Sequence, residues 1–434
     1  MAGFLGMRGT GDWATDQRPK NWRDGLLFLY PNGMAPLTAL TAKMASEKVD
    51  DPEYNWWLKT LPAQAGDVTG VYTDPGLSSA YVTGAAALST LYLKMSEADA
   101  SHFRAGHQVV CRDQSDYDVD CVAKITDVVK NGASSYVAVK LLEADDNSTT
   151  HDLSDCDRVL IIGNINPESG SMPDAISYDP VKYTNYTQIF RNALSISRTA
   201  RLTKLRTGDA YTEAKREALE LHSIEMEKAF MWGIPTENTG ANGKPERTTG
   251  GLIYTIKTYA SGNVSDYSLS TDFQGKTWLE GGEDWLDYFC SQVFRYGGKE
   301  KLAYCGQGAL LGIQRLIKAN PQVQMALTPK TIGYGISVTQ WITVFGTINL
   351  VTHPLFSYEL TNYRSVVIFE PSRLKYRFLT DTTFYKDGEQ QNTGYARIDG
   401  TNEEFLTECG LEYHFPQGFG YLNGVGSDNE LAAP

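Results

Sequence analysis

Residues 209–232 carry the strongest periodic signal in the chain. Asp209 can cap a helix N-terminus. Tyr211, Ala214, Ala218 and Leu221 fall at i, i+3, i+7 and i+10, one face of a 3.6-residue period. Charged residues fill the other face, and Gly233 and Pro235 end the run. At 1.5 Å per residue the helix is about 36 Å long, which is long for a globular protein. His222 lies in it with Glu225 three residues on, and reads as a helix-surface pair rather than an acid–base pair.

The segments on either side differ in character. Residues 1–50 read as an arm: Gly and charged residues dominate the first 25 positions, with Pro36 opening a short helix, Pro36–Ser46. Residues 53–62 look like a strand bounded by Pro52 and Pro62. A β-rich stretch follows, with His107–Cys111, Asp118–Val129, Ser135–Leu142 and Arg158–Ile162 as strands. Asn131-Gly132 is a hairpin signal, since both residues tolerate positive φ. The stretch reads as a small barrel or as an extended hairpin with its own insertion. After the long helix, residues 250–365 look like an α/β unit, with helices Asp284–Tyr296 and Gly308–Ala319. Its strands are Lys301–Cys305, Trp341–Phe345 and Ile348–Val351. The tail returns to β, at Ser365–Phe369, Lys375–Leu379, Tyr395–Asp399 and Gly410–Phe415.

Length and composition bound the function. A chain of 434 residues suggests about two to three domains. With 41% hydrophobic and 21% charged residues it is globular rather than disordered. Apolar runs such as Gly84–Leu93 fall short of the roughly 20 residues of a membrane span. The N-terminus shows no signal-peptide pattern. The net charge of −13 argues against sequence-specific nucleic-acid binding, which needs a basic face. It suits a surface that repels DNA, and equally a great many ordinary cytosolic enzymes. The six Cys are scattered without a CxxC and read as reduced thiols.

The candidate chemical sites are weak. Gly306-Gln-Gly308 through Gly312 imitates a dinucleotide fingerprint, but no Asp or Glu follows between Gln307 and Glu359 to hold a ribose. A tight strand-to-helix turn explains these glycines better. His102, His107, Cys111 and Cys121 are a metal-like group whose spacing matches no zinc finger or knuckle, and both Cys can serve as core. Neither G-x-S-x-G nor H-E-x-x-H occurs. The expectation is therefore no catalytic, cofactor-binding or metal-binding residues. Trp13, Trp22, Trp56 and Trp57 crowd the N-terminal part; in a sugar binder they would stack on rings, and in a protein that assembles they would anchor an arm on a neighbouring subunit.

The order of these elements resembles the HK97-type capsid fold: arm, β excursion, long helix, α/β unit, return to β. Specific residues resemble the SU10-like major capsid proteins of tailed bacteriophages. They are Asn185-Tyr-Thr-Gln-Ile-Phe-Arg191, Leu194-Ser-Ile-Ser197, Ile224-Glu-Met-Glu-Lys-Ala-Phe230 with Gly233, and Thr249-Gly-Gly-Leu252. Further on they are Val344 through Pro354, Gly400, Glu408-Cys-Gly-Leu-Glu412, and Gly420-Tyr-Leu-Asn-Gly424. The resemblance spans 185–424 well and 53–182 in outline.

It implies an α+β chain with a defined domain order. An N-terminal arm (1–50) precedes an E-loop region (51–182) with a β-rich insertion at about 100–165. A peripheral domain (183–250) carries the spine helix, an axial domain (251–365) follows, and the peripheral strands return (366–434). It implies no enzyme activity and no cofactor. Subunits would form hexamers and pentamers of an icosahedral or prolate shell around double-stranded DNA, with a portal protein as a partner. The chain would be made in the bacterial host cytoplasm and end in the virion, with no membrane contact. Some related shells join a Lys to an Asn across subunits, but nothing marks Lys94, Lys124, Lys130 or Lys140 for that, so non-covalent locking is expected. Because the arm begins almost at Met1, scaffolding would be a separate protein, and a decoration protein is possible on 100–165. Two other readings stay open: an encapsulin-like nanocompartment shell with protein cargo, and a polysaccharide-binding or -cleaving protein.

Overall fold

The computed structural model describes residues 45–60, 63–114, 120–145, 152–170, 172–203, 209–319, 328–331, 337–358, 361–386 and 400–432. The chain divides into two compact units, one of residues up to Trp56 and from Lys182 onward, the other Trp57–Val181.

In the first unit the long helix is Ala210–Trp232, capped by Asp209, whose carboxylate accepts from the Thr212 amide at 3.0 Å. Its partner is a sheet in the order Ser46–Lys48, Leu374–Tyr385, Gly400–Tyr413, Gln188–Ser197. The two central strands run 12 and 14 residues. At roughly 3.4 Å per residue the longer one spans about 48 Å, enough to cover a helix of this length. Tyr211, Ala214 and Ala218 pack against Leu194, Phe384 and Phe405, as the periodicity predicts. The stripe then drifts: Leu221 is 55% exposed, and His222 takes the inward place at 1%. A stripe at i, i+3, i+7 continues at i+11, which is His222.

The rest of this unit is a mixed sheet, in the order Val264–Asp266, Gly420–Asn423, Val366–Phe369, Glu300–Cys305, Thr347–Thr352, Ser337–Ile342, Thr328–Thr331. Glu300–Cys305 runs parallel to Thr347–Thr352 and antiparallel to Val366–Phe369. Helices Trp278–Val293 and Gln307–Ala319 supply Trp285, Phe289, Ile313 and Leu316 to the core over these strands. The first helix starts six residues before the expected Asp284, because Thr277 and Glu280 form a capping box. The fingerprint-like glycines are close-packing positions. A Cβ on Gly306 would lie 2.2 Å from the Tyr363 carbonyl, and one on Gly312 would lie 2.6 Å from Gly426 Cα.

The second unit is a closed barrel of six strands, in the order Ala65–Tyr72, Thr90–Met95, Tyr136–Leu141, Asp120–Val129, His107–Arg112, Arg158–Asn164. Its core holds Val71, Leu93, Val109, Ile125, Val139 and Val159. The barrel reaches back before residue 100, the expected start of the insertion, because it takes in Ala65–Tyr72 and Thr90–Met95. Two glycines interrupt Ala65–Tyr72, and Thr90–Met95 emerges from the small-residue run Gly84–Leu88 with no turn signal to mark its start. At the Asn131-Gly132 turn only Gly132 has positive φ (+52°), and a short 3-10 turn at Gly132–Ser134 joins the strands.

Several expectations fall elsewhere. The arm, the proposed strand Tyr395–Asp399 and all of Pro36–Ser46 but its last two positions lie outside the described residues; Ser46 begins a strand instead.

Candidate assembly surfaces and the joints behind them

Strand Glu53–Leu58 alternates exposed and buried residues, so its two tryptophans part company. Trp56 turns inward at 8% exposure, stacked on Tyr54 (5.9 Å) and Tyr183 (6.1 Å) and edge-on to Tyr413 (4.9 Å). Its ring is used inside its own subunit, which corrects its expected use as a contact residue. Trp57 turns outward at 62%. Trp13 and Trp22 lie outside the described residues.

The segments singled out in the sequence converge on two joints. At the first, Asn185 is fully buried. Its Nδ2 donates to the carbonyls of Leu411 (2.7 Å) and Gly250 (3.2 Å), and its Oδ1 accepts from the Gly250 amide (2.7 Å). Tyr54 donates its hydroxyl to the same Leu411 carbonyl at 3.0 Å. Gly410 is required there, since a Cβ would sit 2.5 Å from the Tyr54 hydroxyl. Three distant stretches are thus fixed by one amide side chain.

At the second joint, His353 Nε2 meets Glu227 Oε1 at 2.8 Å with both side chains fully buried. This ties the long helix to the mixed sheet. The Tyr304 ring lies 5.4 Å from the imidazole, and burial, then Glu227, pushes its phenol well above the usual range. A second buried imidazole, His222, bonds Asn192 through Nδ1 and Thr407 through Nε2, each at 2.7 Å. The surface reading of His222 is therefore replaced by an internal one, and burial lowers its pKa. Its neighbour Glu225 accepts from Asn192 at 3.0 Å. These contacts bond structural elements to one another.

Both sheets of this unit have comparable networks. Arg377 pairs with Glu47 at 2.6 Å and with Glu412, which also receives His414. Burial would raise the Glu412 carboxyl, but hydrogen bonds from His414 and Arg377 hold it below the usual range. Lys301, 1% exposed, donates to the carbonyls of Gly418 (2.8 Å) and Tyr296 (3.1 Å), and burial pulls its pKa down to about 8.

Apolar surface remains uncovered in this chain. The end of strand Ser337–Ile342 and the turn after it carry Ile342 (52% exposed), Val344 (90%) and Phe345 (42%). Single exposed apolar residues are ordinary, but a run of them marks a contact surface. Cys111 and Cys121 face each other in register inside the barrel core. Among the described residues no group of three His, Cys, Asp or Glu side chains is placed to hold a metal ion. Among them, too, no helix is long and apolar enough to cross a membrane.

The family model of the SU10 major capsid protein matches residues 8–426. The chain belongs to the SU10 major capsid protein family. A relative, the major capsid protein of Pseudomonas phage PaMx41, is 24% identical over 432 residues, covering 96% of this chain and 95% of its own. A solved structure from Microbacterium phage Oxtober96 is similar with a TM-score of 0.42 at 10% identity, over 93% of this chain and 95% of that one. The SrpI encapsulin of Synechococcus elongatus gives 0.37 at 13% identity, over 58% and 78%. The family assignment rests on the sequence match alone. As a phage major capsid protein the chain is a structural component of the virion, and its fold mixes helix and sheet.

Proposed function

We propose that this capsid protein forms hexamers and pentamers that close into an icosahedral or prolate head around double-stranded DNA. The observation that carries the reading is the family match along residues 8–426. Residues 1–50 are the arm, 51–182 the E-loop region with its barrel, 183–250 and 366–434 the peripheral domain, and 251–365 the axial domain. Trp57, with Trp13 and Trp22 of the arm, supplies contacts between subunits, because a large exposed ring gains most from being covered. Trp56 holds the strand from inside. The net charge of −13 keeps the wall from adhering to DNA.

The subunits lock without covalent cross-links, and the chain has no enzymatic step. It is made in the bacterial host cytoplasm and meets a portal protein, a separate scaffolding protein and, on the barrel, a decoration protein. Nuclease treatment of purified particles, followed by extraction, tests the central point. Protected double-stranded DNA is expected; particles filled with a protein cargo and free of DNA contradict it.

A further inference from the structure

The barrel has an apolar outer face as well as an apolar core. Strand alternation sends Val109, Cys111, Ala123 and Val159 inward, so their chain neighbours face out. The register joins those neighbours into one row. Val110 pairs with Val122 on one side and with Leu160 on the other, and the Leu142 amide bonds the Val122 carbonyl at 2.9 Å. Leu142 is 39% exposed and Leu160 37%, while Val110 between them is only 7% exposed, so the row is open to solvent at its two ends; Ile162, two residues on from Leu160, is 48%.

The flanks of the row differ. On one side Asp67, Arg158, Arg112 and Asp120 stand in adjacent register and neutralise each other, with Arg158–Asp67 at 2.5 Å and Arg112–Asp120 at 3.0 Å. On the other side Lys124 stands directly opposite Lys140. Among the described residues neither lysine has a carboxylate partner. Like charges directly opposite on paired strands destabilise a sheet unless something compensates them.

We propose that this face, the row Leu142–Val122–Val110–Leu160 with the lysine pair beside it, docks onto a second copy of this chain. The inference rests on the shell-subunit reading above, which guarantees that copies are adjacent. Charge selects the same occupant. The chain carries 52 acidic against 39 basic residues, so two copies repel at most relative placements. A face that is apolar, neutral on one flank and doubly cationic on the other offers a neighbour's carboxylates a favourable place to sit.

Shells assembled from a mixture of light and heavy-isotope chains, treated with a carbodiimide that joins amines to carboxylates at zero length, test this. Light–heavy peptides linking Lys124 or Lys140 to an Asp or Glu of another copy are expected. In parallel, the full-length variants Leu160→Asp and Lys124→Glu/Lys140→Glu are expected to stay folded by circular dichroism and to lower shell yield by about tenfold. If Leu160→Asp does not fold, the cross-links on wild-type shells decide. Shells in which both lysines link only within their own chain, or only to a co-purifying polypeptide, would overturn the inference and leave the capsid reading standing. A wild-type chain that forms no shells would defeat both, and that outcome is distinct.

Discussion

Buried polar side chains govern this protein residue by residue. His353 and Glu227 are both inaccessible and bond each other at 2.8 Å. Replacing one member of such a pair strands the other in a low-dielectric interior, at a cost of about 3–5 kcal/mol. His353→Leu is therefore expected to lower the urea midpoint markedly, and an unchanged midpoint would deny the joint its structural role. Lys301 gives a pH signature. Its folded pKa of about 8 lies below the ordinary 10.5, so between those values the unfolded chain binds more protons than the folded one. Stability then rises with pH through that window. Below about pH 8 the lysine is charged in both states and the burial penalty is fully present. Wild type is expected to gain stability relative to Lys301→Met between about pH 8 and pH 10, read by paired melts across the range; parallel curves would contradict it. None of these partners was legible in the sequence. His222 and Leu221 are adjacent on one helix, and periodicity alone placed the wrong one inward, because apolar character outweighed the true angular position.

The elements follow from simpler rules, and they were read better. The long helix was placed to within a residue by its cap, its stripe and its terminating glycine. A Cβ at Gly233 would lie 2.3 Å from the Thr249 carbonyl. Gly233→Ala is thus expected to shift the chain entering Thr249–Gly251 and to reduce the melting temperature; a neutral effect would show that the turn can relax. The strands were caught where β-branched residues cluster and missed where they do not. Gly400–Tyr413 opens with Gly-Thr-Asn-Glu-Glu, which reads as loop, yet this part pairs in full register with Gln188–Ser197. Long-range pairing overrides local propensity there. The barrel's first strand, Ala65–Tyr72, was hidden by two glycines, one of which, Gly66, faces Phe103 so closely that a Cβ would sit 2.8 Å from the ring.

At the scale of the molecule, the order of elements carried more information than any motif in it, and it pointed to a shell subunit before any side chain was placed. The contact residues were less legible. Strand alternation divides the adjacent Trp56 and Trp57 between interior and surface, a division that composition does not display. The barrel unit has its own closed hydrogen bonding and its own core. Residues 57–181 expressed alone are therefore expected to fold with a cooperative melt; an unfolded fragment would show that the unit depends on the rest of the chain. Deleting Met1–Arg23 is expected to leave a folded subunit that assembles poorly, and normal shells from that variant would remove the arm from the structural account. The central claim is that many copies of this chain close into a shell. Electron microscopy of the purified native assembly, paired with its sedimentation rate, tests it most directly. The account predicts closed particles tens of nanometres across that sediment as a single fast species. Monomers or small oligomers at high concentration, even with the neighbouring phage proteins co-expressed, would contradict it.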